Sequence, residues 1–596
     1  MMPAMAEMPM EGHLAIGRCN KSVMLGGLGC SLVLAGAAAK PCRVTAFLVA
    51  SDIRSAGLAA KTAVGVHREP LRAGTAGRSD EPARVAGLAG AAIVAAAAAA
   101  QRRCRPLLRR SGATTAKAAT ATVLPKVDRT TTKDFRRDLQ KSDQYYKFGR
   151  TQMDQAMKEL NRVSGSELVT EMRKNGFRLT VGDVTFVLAQ SYGFCWGVER
   201  AVAMAYEARN FFPDKNIWVT NEIIHNPLVN ENLHKMGMQF VPAISGGGKD
   251  FSGVQQGDVV ILPAFGASVD EMAFLKERNV QIVDTTCPWV SKVWTSVEKS
   301  KGKGYTSIIH GKYEHEETVA TKSFAQKYLV VKNMTEAEYV AQYVLGNGNR
   351  EDFMQKFAKA MPEDFDPDID LDRIGVANQT TMLKGETELI GKLFERVMIK
   401  KYGPLEVDSH FISFNTICDA TQERQDAMYD MLGAEYEAPA SKLYAELEGE
   451  QVGVDLKSEK HQERLSSKQM EDATKGAAAV ENQPEIKRVD MCLVIGGFNS
   501  SNTTHLIEIA EEEGVPGYHI DCAERISGPN GGVANSIQHK PLSTPPTKAM
   551  LDEGLEVKEN FLPDGPVVIG LTSGASTPDS VLGDCMKRVL ELRAQA

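Results

Sequence analysis

Three cysteines stand in the same kind of place. Cys195 in "YGFCWGVERAV", Cys287 in "DTTCPWVSKVW" and Cys418 in "NTICDATQERQDA" each follow an apolar run and precede a pattern of helical period. A thiol at a helix start has its thiolate favoured by the dipole and by free amides. One such cysteine is most simply a small buried hydrophobe. Three in matching positions call for a common reason. Three thiolates brought together suit a soft metal: zinc, copper(I) or an iron–sulfur cluster. Electron-transfer clusters ordinarily take four protein cysteines. Three leave one metal position open to substrate, as catalytic zinc sites do. Cys492 and Cys585 read as core residues, and Cys522 in "HIDCAERI" is the one further candidate ligand.

Acid and anion chemistry lies in other segments. "HGKYEHEETVA" offers His310, His315 and Glu317 ahead of a helix, and "TNEIIHNP" offers His225. A histidine beside a carboxylate suits proton delivery. "NSSN", with Ser500, Ser501 and Asn502, and "SGAS", with Ser576, follow apolar strands and open helices. Hydroxyls and free amides at helix starts bind anions, although plain capping produces the same pattern. Neither GxxxxGK[ST] nor a convincing GxGxxG is present, so ATP or NAD is not indicated. No CxxxCxxC is present either. The residues thus point to a metal–sulfur centre, an acid and an anion pocket, and to reductive chemistry on a small phosphorylated substrate. A one-cysteine thiolate nucleophile and a zinc-bound scaffold are the rival readings.

The elements that must position these groups alternate between strands and helices. This pattern argues for an α/β fold of parallel sheets, with ligands beyond the strand ends. Residues 118–180 read as a helical N-terminal extension. The expected modules are 181–283, 284–405 and 406–575, each with one of the cysteines, followed by a C-terminal helix at 576–596. The third module is interrupted at 433–487 by a charged, Ala-rich run that reads as a solvated insertion.

The 596 residues carry a formal charge of −7, unevenly spread. Residues 1–117 hold 16 Lys and Arg against 6 Asp and Glu, leaving 53 against 70 in the remainder. That acidic body lacks the footprint of a nucleic-acid binder. The basic start contains the apolar runs 24–39 and 85–100 around a stretch rich in Ala, Arg, Gly, Ser and Thr. It reads as a bipartite leader for a plastid bounded by extra membranes, removed in the mature form. The alternative for the second run is an Ala-rich helix or disorder. No later segment is long and apolar enough to span a bilayer, so the mature protein is expected to be soluble.

Nine segments in order, "YGFCWGVERAV", "TNEIIHNP", "LPAFGAS", "DTTCPWVSKVW", "IIHGKYEHEET", "NQTTM", "NTICDATQERQDA", "NSSNTTHL" and "TSGASTPDSVL", resemble the 4-hydroxy-3-methylbut-2-enyl diphosphate reductases of plastids and cyanobacteria. The likeness covers about 130–596 apart from the insertion. It implies a trefoil of three pseudo-symmetric α/β modules around one 4Fe–4S cluster, held by Cys195, Cys287 and Cys418 with one iron open. It implies that the allylic hydroxyl of the substrate leaves as water after two-electron, two-proton reduction, giving isopentenyl and dimethylallyl diphosphates. Glu317 would supply protons with Thr380 and His315, which also contact the substrate. His225, Ser500, Ser501, Asn502 and Ser576 would hold the diphosphate. The implied electron donor is ferredoxin-like, the location is the plastid stroma, and a homodimer is one assembly this allows. Bacterial members often have histidine where this chain has Phe265, so one phosphate contact must come from elsewhere. The insertion and the long leader are the other departures.

Overall fold

The computed structural model describes residues 120–146, 152–244, 248–414, 416–436, 441–448, 488–527, 535–542 and 554–595. The expected leader and most of the insertion lie outside them.

Apolar runs such as Val259–Leu262, Thr306–His310 and Met491–Ile495 are buried at every position, as strands covered on both faces must be. Such runs build three larger sheets, and the antiparallel pair Ser536–His539 and Glu556–Glu559 is a fourth, two-stranded one. The first runs in the order Tyr145–Tyr146, Gln281–Asp284, Val259–Leu262, Ile217–Val219, Gln239–Phe240 and is parallel throughout. The second, also parallel, runs Phe411–Ser413, Ile374–Asn378, Thr306–His310, Tyr328–Val331. The third runs Gly517–Ile520, Met491–Ile495, Val567–Ser573, Val184–Leu188, Arg178–Val181, and only its last pair is antiparallel. The α/β class expected from the sequence is therefore the class observed.

The division of the chain among the sheets differs from the expected module boundaries. The strand Val184–Leu188, expected to open the first module, pairs with Val567–Ser573 in the third sheet. The helix that follows, Trp196–Phe211, buries Ala201, Val202 and Ala205 with Ile217, Val219 and Ile261 of the first sheet. Gln281–Asp284 belongs to the first sheet, yet its following helix, Pro288–Gly302, runs along strands of the second. Phe411–Ser413 belongs to the second, yet the helix Asp419–Leu432 buries Met428 and Tyr429 with Val489, Cys492 and Val494 of the third. Each junction cysteine thus marks the point where the chain leaves one sheet for the next.

Two expectations are refined. The N-terminal extension holds helices Thr132–Lys141, Met153–Ser164 and Glu167–Lys174, but it also lends edge strands to the first and third sheets. Within the supposedly solvated insertion, Lys442–Glu448 is a helix whose Leu443 and Tyr444 are buried in the core of the second sheet, with Leu447 packed beside them. These three apolar residues share one helical face, a short stripe that the charged composition of the longer run obscured. The C-terminal segment is the helix Asp579–Gln595. Among the described residues no helix is long and apolar enough to cross a membrane.

The docked helix gives a direct test. Leu443→Ala is expected to destabilise the protein by about 2–5 kcal/mol, the usual range for a buried leucine, as read by urea unfolding. An effect within experimental error would mean that this helix contributes nothing to the core.

Candidate active site

Cys195, Cys287 and Cys418 are the N-cap residues of helices of 16, 15 and 14 residues, all three in extended backbone conformation. None uses its side chain to cap. Their backbone N–H groups make a repeated bond: Cys195 to the Ala575 carbonyl at 3.1 Å, Cys287 to that of Ala264 at 2.8 Å, and Cys418 to that of Thr380 at 3.3 Å. Each acceptor lies just past the strand that neighbours the cysteine's own strand in the same sheet. At Cys287 and Cys418 the bond stays in register with the parallel ladder, whereas Cys195 reaches its acceptor after the loop that follows Leu188; in all three the bond ties the cysteine to the neighbouring strand's end.

The sulfurs meet there. A Cβ on Gly197 would lie 2.6 Å from Cys287 Sγ and 3.9 Å from Cys195 Sγ, so only glycine permits this approach. Burial first, and the negative charge of Cys195 second, push the Cys287 thiol up to about 12. Burial likewise pushes Cys418 well above the ordinary thiol range, against the Thr421 hydroxyl 2.9 Å from its sulfur, and the other two thiols add to the rise. Three thiols within reach of one another's charge, in a site that disfavours lone thiolates, form a donor set of the kind that a positive metal centre would complete. Cys522 precedes the short 3₁₀ turn Ala523–Arg525, beyond an edge strand of the third sheet.

Glu317 is 2 % exposed. One carboxylate oxygen accepts the Thr380 backbone N–H at 2.6 Å and the other accepts the Thr380 hydroxyl at 3.0 Å. Burial pushes this carboxyl up to about 7, with the Thr380 bonds and the His225 charge opposing the rise. His315 caps the helix Glu316–Lys322, its Nδ1 accepting the Glu317 backbone N–H at 3.1 Å. The His225 ring meets that of His315 edge-on at 5.4 Å and stacks on Phe265 at 4.8 Å. Its Nδ1 lies 3.0 Å from a Glu222 carboxylate oxygen and its Nε2 3.6 Å from one of Glu316.

The two hydroxyl-rich loops close the ring of groups. Ser500 caps the helix Ser501–Glu512 by accepting from the Thr503 N–H. Ser501 accepts from the Gln379 amide at 3.1 Å. Asn502 accepts the Ala575 N–H at 3.0 Å and reaches the Thr421 hydroxyl at 3.5 Å. The Ser576 hydroxyl donates to the His225 carbonyl at 3.2 Å. A Cβ on Gly497 would come within 2.1 Å of that carbonyl oxygen, so the loop before Ser500 lies flat against His225. The eleven residues singled out from the sequence thus converge on one centre, linked by short contacts.

Other residues belong to the same centre. Gln379 joins Ser501 to the Thr318 hydroxyl and to the Lys312 backbone. Thr421 joins Asn502 to Cys418. Glu222 and Glu316 flank His225, and Gly197 admits the thiols. One signal for Gln379 was its place at the end of a parallel strand, where ligands gather. Thr421 stands three residues after a helix cap, within reach of the capping side chain.

The family described as LytB protein matches residues 186–438 and 460–590. The gap falls within the insertion and contains the helix Lys442–Glu448. The 4-hydroxy-3-methylbut-2-enyl diphosphate reductase of Gloeothece citriformis is 51% identical over 463 residues, spanning 78% of this chain and 98% of that protein. The enzyme of the same name from Thermosynechococcus vestitus is 52% identical over 465 residues, 78% of this chain and 99% of that protein. The solved structure of the E-1-hydroxy-2-methyl-but-2-enyl-4-diphosphate reductase from Plasmodium falciparum matches 68% of this chain and 87% of that one, at 21% identity and a TM-score of 0.41.

The raised Glu317 carboxyl has a consequence for stability. Its folded value of about 7 exceeds its ordinary value of 4.5, so between those limits the folded state binds more protons than the unfolded state. Stability from this group is therefore fully present below pH 4.5 and is lost as pH rises through 7. Glu317→Gln removes the ion and keeps an acceptor and a donor for Thr380. The variant is expected to gain on the wild type between pH 5 and pH 8, by on the order of 3 kcal/mol at the upper end. Thermal unfolding at the two pH values reads the difference, and a constant gap would show that the carboxyl ionises without penalty.

Proposed function

The chain belongs to the LytB family, the 4-hydroxy-3-methylbut-2-enyl diphosphate reductases, and from this we propose that its converging thiols, buried acid and hydroxyl loops carry out that reaction. The substrate is (E)-4-hydroxy-3-methylbut-2-enyl diphosphate. Two electrons and two protons remove its allylic hydroxyl as water and leave isopentenyl and dimethylallyl diphosphates.

The family implies an iron–sulfur cluster, and the donor set fits one. Cys195, Cys287 and Cys418 would hold a 4Fe–4S cluster with one iron left free of protein ligands. When bound, such a cluster supplies low-potential electrons and a Lewis acid for the allylic oxygen. The remaining work falls to side chains of the protein. Glu317, pushed up to about 7 by burial, holds a proton near neutral pH, where an acid works best. The Thr380 N–H and hydroxyl orient that carboxyl. His225, His315, Ser500, Ser501, Asn502 and Ser576 hold the diphosphate, and the burial of all of these but His315 excludes water from the reacting end. Such orientation is worth up to roughly 7–11 kcal/mol of barrier. The Phe265 ring stacks on His225 and leaves that imidazole as the aromatic donor facing the phosphates.

The single observation that carries this reading is the meeting of three N-cap cysteines beside a buried carboxyl tied to Cys418 through Thr380. A ferredoxin-like donor and a plastid location are supported by the basic leader and by cyanobacterial relatives. The deciding experiment is anaerobic purification of residues 118–596, with iron and sulfide analysis and turnover of the allylic diphosphate under a chemical reductant. Iron, sulfide, visible charge-transfer absorption and water release are the expected results. A colourless protein that stays iron-free after reconstitution, or that takes up zinc instead, would overturn the cluster.

Because a Cβ at 197 would collide with Cys287 Sγ, Gly197→Ala is expected to lose most of the bound iron and at least roughly 100-fold in turnover. Cys287→Ser should match it. Circular dichroism should show both variants folded, and full iron loading in Gly197→Ala would refute the crowding argument.

A further inference from the structure

Trp196 directly follows the N-cap Cys195, and Trp289 is the second residue of the helix opened by Cys287. Their rings meet edge-on with centroids 5.9 Å apart. Trp196 is 48% exposed, among the few large hydrophobic side chains open to solvent. Trp289 is half-buried and Pro288 before it is exposed. An aromatic pair therefore reaches the surface from directly beside two of the three thiols.

From that pair a charged stripe runs outward along the helix Pro288–Gly302. Lys292, Lys299 and, just past its end, Lys303 are all exposed. Steps of three, seven and four residues from Trp289 keep them on one face. The helix has one acid, Glu298, which is buried and lies 4.0 Å from Arg136 of the neighbouring helix Thr132–Lys141. Its other lysine near this end, Lys301, turns toward the backbone of Arg129 and the hydroxyl of Thr132. This cationic stripe lies on a body with 53 basic against 70 acidic residues after position 117.

We propose that Trp196, Trp289 and the Lys292–Lys299–Lys303 stripe form the docking surface for a small, acidic one-electron carrier protein, and that electrons reach the thiol centre there. The inference rests on the reductase reading and specifies its partner surface. An apolar aromatic centre with a polar rim is the usual plan of a specific interface, and opposite charge steers encounter and sets register. Two reduced carriers each give up one electron per turnover. The substrate takes those two electrons and two protons, its allylic C–O bond breaks, a C–H bond forms and water leaves. A carrier that must deliver twice gains from fast, salt-sensitive association, which a cationic rim provides.

The test compares two electron sources on the full holoenzyme. The variant Lys292→Glu/Lys299→Glu is assayed with a reduced plant-type [2Fe–2S] ferredoxin and separately with dithionite and methyl viologen. Ferredoxin-driven kcat/KM is expected to fall about tenfold or more, mainly through KM for the carrier, with a flatter dependence on salt. Viologen-driven turnover should stay at the wild-type level. Equal ferredoxin-driven rates in variant and wild type would overturn the proposal. So would a change of oligomeric state in the variant by analytical ultracentrifugation, which would assign the face to a second copy of this chain. If the wild type turns over with neither donor, the reductase reading itself fails, and the docking surface with it.

Discussion

The centre depends on one repeated constraint, the hydrogen bond from each junction cysteine's N–H to a carbonyl just past the neighbouring parallel strand. At Cys287 and Cys418 that bond continues the register of the parallel ladder, at Cys195 it follows a loop, and in each case it ties the extended cysteine to a neighbouring strand as the following helix begins. A Cβ points away from an extended backbone in a set direction, so three such bonds on three sheets aim three sulfurs at one place. The crossings enforce this. Because the helices after Cys195 and Cys418 pack on the next sheet, and the helix after Cys287 lies between the first and second, no module folds its cysteine end independently of the next. The sheets are thereby tied into a ring whose inner rim is made of helix starts.

That inner rim is electrostatically uncomfortable by design of its burial. Helix starts favour negative charge, yet burial outweighs this and pushes the thiols of Cys287 and Cys418 and the Glu317 carboxyl upward. Thr380 offsets part of the cost at Glu317 through two hydrogen bonds, and its own carbonyl accepts from Cys418. One residue therefore couples the position of the acid to that of a thiol. A shift in either would be felt by the other across a contact of about 3 Å, the ordinary span of a hydrogen bond.

Much of this could be read before any fold was seen. An apolar run, a lone cysteine and a helical period, repeated three times, suffice to place thiols at helix starts. Glu317, His315 and the serine loops stand out because they follow strand ends. Three things did not show. The strand before Cys195 and the helix after it look like one unit in sequence, because local pattern records adjacency along the chain but not which sheet a strand joins. The helix at Lys442–Glu448 was hidden because a two-turn apolar stripe is diluted by the charged run around it. Gln379 and Thr421 carry ordinary polar side chains, and their importance comes from partners 122 and 81 positions away in sequence.

Phe265 shows how a departure from the bacterial pattern is absorbed by geometry. A histidine at that place would put a second imidazole against the first. Here a phenyl ring stacks on His225 within 14° of parallel, while His315 approaches the same imidazole edge-on. Glu222 and Glu316 offer carboxylate oxygens toward its two nitrogens. The apolar ring shields one face of the imidazole from water. The His225 backbone is also fixed, since its carbonyl accepts from Ser576 and touches Gly497. An imidazole held by two loops, two carboxylates and two rings has little freedom left, so the ordering cost that a ligand would otherwise incur there has been met in folding.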